Sequence, residues 1–141
     1  MMYRIVIDTN VLVSALRSAA GASHKLLRLI DRGKFEVNLS VPLVFEYESA
    51  LKADRVHSGL SGEDIDSVLD YLCKVAGQKA ITYLWRPCLK DPKDDFVLEH
   101  AVESEADFIV TFNKKDFKGS ERFGIRTMNP REFLKKIGEI K

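Results

Sequence analysis

Four places in this chain carry an acid at comparable depth beside a strand or helix pattern. Asp8 follows the β-branched run Ile5, Val6 and Ile7, and Glu46 interrupts the apolar face of a helical pattern made by Leu43, Val44, Tyr47, Ala50 and Leu51. Asp94 stands in the helix start Asp91, Pro92, Lys93, Asp94, Asp95, and Asp116 lies in the loop after the apolar run Phe108 to Val110. Carboxylates brought together repel one another unless a cation neutralises them. Hard oxygen donors favour Mg²⁺ or Mn²⁺, held by one or two carboxylates and waters. Such an ion activates water and steadies the charge of a phosphodiester being cut. Thr9, Asn10, Ser14, Thr111 and Asn113 would supply neutral hydrogen bonds around it. Spacing does not separate Asp91, Asp94 and Asp95 as the third acid. As cap and first-turn residues they could equally satisfy a helix's free N–H groups with no chemistry implied.

These acids need elements that bring them to one edge. Ile5 to Ile7 reads as a strand buried on both faces, and open α/β sheets bind ligands beyond the carboxyl ends of such strands. A short helix follows, with Asn10 as its expected cap, then a second helix through Leu26, Leu27, Leu29 and Ile30 with Gly33 as its stop. Phe35, Val37 and Leu39 alternate with polar residues, which predicts a strand ending near Ser40. Pro42 suits the first turn of a third helix. Ser61 to Asp64 resembles a capping box ahead of the stripe Ile65, Val68, Leu69 and Leu72, and Gly77 is the expected end of that helix. Residues 80–85 are expected to form a third strand. Another helix runs from Asp91 through Val97, Leu98, Ala101 and Val102, and Phe108 to Val110 forms a strand that Thr111 closes. Ile125 to Met128 is a last strand, and Asn129, Pro130 and Glu132 start a helix docked by Phe133, Leu134 and Ile137. Strands alternating with helices predict βαβ units, right-handed crossovers and a mostly parallel sheet covered on both faces. With no linker or repeat, residues 1–141 are expected to form a single domain.

Several stretches together resemble the PIN-domain nucleases, and among them the VapC-like toxins of toxin–antitoxin pairs. They are Ile7 to Ala15 (Ile-Asp-Thr-Asn-Val-Leu-Val-Ser-Ala), Ser40 to Glu46 (Ser-Val-Pro-Leu-Val-Phe-Glu), Asp91 to Ala101 (Asp-Pro-Lys-Asp-Asp-Phe-Val-Leu-Glu-His-Ala), Ala106 to Phe117 (Ala-Asp-Phe-Ile-Val-Thr-Phe-Asn-Lys-Lys-Asp-Phe) and Met128 to Leu134. The resemblance implies a three-layer α/β/α sandwich that binds Mg²⁺ or Mn²⁺ and hydrolyses RNA. Carried over residue by residue, it makes Asp8, Glu46, Asp94 and Asp116 the catalytic acids, with Asp8, Asp94 and Asp116 holding metal and Thr111 and Asn113 as polar companions. Some relatives carry Asp where Asn113 stands, so that position brings hydrogen bonding without charge. The resemblance also implies a cognate antitoxin reaching over the acidic cleft, and a homodimer.

Composition fits these expectations without dictating them. A chain of 141 residues, 45% hydrophobic and 30% charged, can bury a sizeable core without staples. The net charge of +1 neither demands nor excludes nucleic acid. Positive charge for an RNA backbone would come from Arg17, Arg86, Lys90, Lys93, Lys114, Lys115 and Lys118, which flank the acidic motifs. No run approaches the ~20 apolar residues of a membrane span, and the first residues read as a strand, not a signal peptide. Cys73 and Cys88 lack metal or redox spacing, which predicts reduced thiols and a cytoplasmic setting. His24, His57 and His100 share no motif with the acids. Phosphoryl transfer on Asp8 is disfavoured, because Asp8-Thr9-Asn10 lacks the second acid of the DxDxT pattern. The remaining alternative is a non-catalytic domain of the same fold that binds metal or a partner.

Overall fold

The computed structural model describes residues 2–78, 97, 101–102 and 105–140. Its centre is β1 (Tyr3–Ile7), whose Ile5, Val6 and Ile7 are each at most 4% exposed. Successive side chains of a strand point to opposite faces, so burial of all three means that both faces of the sheet are covered. The protein is therefore an α/β/α sandwich, as the alternating pattern predicts.

From β1 the chain runs through α1 (Thr9–Arg17) and α2 (Ala22–Arg28) to β2 (Phe35–Leu39). It continues through α3 (Val41–Ala53), a short α4 (Arg55–Ser58) and α5 (Gly62–Val75) to β3 (Gly77–Gln78). After β4 (Phe108–Val110) come two 3-10 turns, Lys114–Phe117 and Ser120–Phe123, then β5 (Arg126–Met128) and α6 (Pro130–Lys136). The strand order is β3-β2-β1-β4-β5, every pair parallel. The chain thus winds outward from β1 to one side, then returns to wind outward on the other. The order reverses between β1 and β4, the point where open α/β sheets form a crevice at the strands' carboxyl ends.

Several expectations need correction. The cap of α1 is Asp8, not Asn10: its carboxylate accepts from the Thr9 N–H, and Asn10 lies exposed in the first turn. Gly33 closes a 3-10 turn (Ile30–Arg32) beyond α2, with the left-handed φ of 74° that glycine adopts without a steric cost. Gly77 does not end a helix; α5 stops at Val75 and Gly77 opens β3. The expected strand at 80–85 falls outside the described residues. Of the helix expected after Asp91, Val97, Ala101 and Val102 are described and are helical.

The two expected capping boxes are present, and α3 is capped by Ser40, which the sequence pattern marks only as a strand end. Ser40 accepts from the Leu43 N–H, and Ser61 with Asp64 and Asn129 with Glu132 form full capping boxes. Phe133 anchors α6 against the sheet, its ring 5.3 Å from Phe35 and 6.0 Å from Phe108 in edge-to-face geometry.

Candidate functional site

The register sets one row of polar residues across the carboxyl edge of the sheet. Ile5 is level with Val37 and Phe108, and Val110 with Met128. Counting on, Asp8 is level with Ser40 on β2's side and Thr111 on β4's side, and Thr111 with Asn129. Ser40, Asp8 and Asn129 each cap the helix that follows. Thr111 instead turns its hydroxyl to Asp8, donating to Oδ2 at 2.7 Å across the switch point.

Asp8 is only 5% exposed, and each of its polar groups has a partner. Its N–H donates to the Val110 carbonyl at 2.9 Å and its own carbonyl accepts from the Val11 N–H at 3.0 Å. Oδ1 accepts from the Thr9 N–H at 2.9 Å and Oδ2 from Thr111. Burial raises its pKa above the ordinary value; the two hydrogen bonds oppose that rise, and the negative fields of Asp116 and Glu46 add to it. Asp116 and Glu46 thus lie within electrostatic reach of Asp8 at this edge.

Glu46 and Asp116 reach it by similar means. Glu46 lies on α3 directly before Tyr47, which is 1% exposed. Asp116 lies on a 3-10 turn directly before Phe117, also 1% exposed. The bend that returns Asp116 begins at Thr111, whose hydroxyl oxygen accepts from the Asn113 N–H at 2.9 Å. The Asp116 N–H then donates to the Asn113 carbonyl at 3.0 Å. Thus Thr111 joins Asp8 to the Asn113–Asp116 loop through one oxygen.

Asp8, Glu46, Asp116 and Thr111 are therefore brought together. Thr9 contributes its backbone N–H, Ser14 stands further along α1, and Asn113 contributes backbone groups while its side chain is exposed. Asp91, Asp94 and Asp95 lie outside the described residues. Among the basic candidates, Arg17 is bound to Asp54 at the end of α3, with Nε to Oδ2 at 2.9 Å, and Lys114 is paired with Glu132. Lys115 and Lys118 are exposed, and Arg86, Lys90 and Lys93 lie outside the described residues.

The donor chemistry suits a hard divalent cation, and a crevice where Asp8 feels two further carboxylates is where one would relieve repulsion. Among the described residues no three such side chains come close enough to hold an ion by direct bonds alone. Magnesium needs no such cage, since it usually keeps several waters beside one or two carboxylates.

Tyr47 belongs to this site, although its sequence pattern assigns it only to an apolar face. Its hydroxyl donates to the Ile7 carbonyl, the last of β1. Burial first, then the nearby Asp8 charge, pushes that hydroxyl far above its ordinary pKa, so it remains a donor at any pH at which the protein works. A tyrosine beside an acid in a buried helix stripe is the available sequence signal, because a buried phenol seeks a polar partner.

A PIN-domain family model matches residues 4–115, which include Asp8, Glu46 and Thr111. Among solved structures, the fold is similar to that in the crystal structure of VapBC2 from Rickettsia felis bound to a DNA fragment from their promoter. The TM-score is 0.59 at 16% identity, over 89% of this chain and 98% of that one. No curated protein sequence matches the chain. The family match spans well over half the sequence, and the sheet that carries it has the expected parallel order: the chain belongs to the PIN-domain family.

Proposed function

We propose that this protein is an endoribonuclease dependent on Mg²⁺ or Mn²⁺, the toxin component of a toxin–antitoxin pair. The observation that carries the reading is Asp8: a carboxylate buried at the sheet's switch point, fixed by two hydrogen bonds and set in the negative field of Glu46 and Asp116. Such a group is costly unless a cation shares the site. Membership of the PIN family supports nuclease chemistry, and the likeness to a VapBC2 complex supports an antitoxin partner.

In this reading Asp8, Asp94 and Asp116 hold the metal, and Glu46 acts as the fourth catalytic acid. When bound, the ion supplies a water of lowered pKa and screens the charge developing on the phosphodiester. The protein's own residues orient and exclude. Thr9 and Thr111 aim the Asp8 carboxylate, Thr111 holds the loop of Asn113 and Asp116, and Glu46 adds its negative charge from the α3 side. Lys115 and Lys118 offer positive charge to the RNA backbone. The whole chain acts as one domain, a homodimer in the cytoplasm.

Purified protein incubated with RNA should cleave it in Mg²⁺ or Mn²⁺ and not in EDTA. Asp8→Asn and Asp94→Asn should each reduce the rate by about three orders of magnitude, in line with losing charge stabilisation at a reacting centre. Cleavage that persists in EDTA, or in both variants, would overturn the reading. Metal binding with no hydrolysis under any condition would instead leave a binding domain of the same fold.

A further inference from the structure

We propose that the Tyr47 hydroxyl is a positioning group that fixes the Asp8 carboxylate relative to Glu46 and so sets the spacing of the acidic crevice. The peptide unit between Ile7 and Asp8 is gripped from two sides. Its N–H donates to the Val110 carbonyl of β4 at 2.9 Å, and its C=O accepts the Tyr47 hydroxyl from α3. The plane of a peptide held at both ends cannot tilt without breaking one of the two bonds. That plane carries the Asp8 Cα, so its orientation aims the side chain.

The same hydroxyl also locates Glu46. Tyr47 follows Glu46 on α3 and is 1% exposed, so the phenol anchors α3 to the end of β1 at the level of Asp8. Volume alone would be served by phenylalanine. What tyrosine adds is one directional bond, made to the backbone next to Asp8, the most buried acid of the site among the described residues. Groups that orient metal-holding carboxylates from one layer out commonly change metal affinity 10–100-fold when removed.

The functional arm of this inference rests on the metal-nuclease reading; the structural arm does not. Tyr47→Phe keeps the packing and removes the bond. Against the wild type, it should bind Mn²⁺ about tenfold more weakly in calorimetric titration. It should also lower kcat on RNA while leaving KM unchanged. In amide hydrogen exchange, the Asp8 N–H should exchange about tenfold faster, the loss expected for one hydrogen bond, while Ile5 stays as protected as before. Wild-type Mn²⁺ affinity together with wild-type Asp8 exchange would overturn the inference. So would faster exchange spread evenly over β1, β2 and β4, which would make Tyr47 a general core residue. If the wild type binds no Mn²⁺, the nuclease reading falls alone, and Asp8 exchange still decides: a local rise supports the clamp and no rise refutes it.

Discussion

Two aspartates of this chain respond to their surroundings in opposite senses. Asp8 is buried beside other acids, so its folded pKa lies above the ordinary 3.8. Between 3.8 and that raised value the folded state binds more proton than the unfolded chain, so Asp8 makes stability fall as pH rises through this window. Asp54 is nearly covered while its partner Arg17 is half-exposed, and the Arg17 hydrogen bonds hold its pKa below the ordinary value. Its contribution is present above 3.8 and is lost as pH falls through the lower folded value. Melting temperature followed against pH in EDTA should separate the two. In Asp8→Asn the stability lost as pH rises through the Asp8 window should be absent, leaving the variant at least as stable as the wild type at neutral pH. Asp54→Asn should lack part of the stability lost on acidification. A profile for Asp8→Asn parallel to the wild type would contradict the raised pKa of Asp8.

At the scale of elements, the helix starts and the site draw on the same residue types at the same edge. Replacing Asn129 by Ala removes half of the α6 capping box and should cost about 1 kcal/mol. Phe133→Ala should cost about 3–5 kcal/mol in urea denaturation, because it strips a fully buried ring from contact with Tyr3, Phe35 and Phe108. If instead Phe133→Ala costs no more than Asn129→Ala, the aromatic cluster does not anchor α6. The strong periodicities were legible: β1, β2, β4 and three helix starts stand where apolar spacing and cap residues put them. The 3-10 turns and α4 were not, since segments of three or four residues have no period to read. Sequence offers capping types at both Asp8 and Asn10, and the choice of Asp8 is made by where β1 ends. Asp8 and Asp116 are legible as acids that follow buried strands, and Glu46 as an acid on an apolar helix face. Their shared location depended on strand order, which periodicity does not encode. Of the anchors next to these acids, Tyr47 is legible only as part of an apolar helix face and Phe117 only as the end of a motif.

For the whole molecule, the outer side of α3 raises the question of assembly. Val41 and Phe45, one turn apart, are 60% and 65% exposed, with the buried Leu43 and Tyr47 facing the core. If this face joins two copies in the proposed homodimer, Phe45→Glu should halve the mass measured by light scattering and leave the melting curve of the monomer unchanged. A wild type that is monomeric at all concentrations would refute the dimer.

The bond from Thr111 to Asp8 spans 103 positions of the chain. A ribosome delivers β1, β2 and α3 well before β4, so during synthesis Asp8 and Glu46 can be in place while Thr111 and Asp116 are still to come. The crevice is thereby kept from assembling while most of the chain is still being translated. Because central β1 waits for its second neighbour until late in the chain, the topology itself would keep the proposed ribonuclease latent during its own translation.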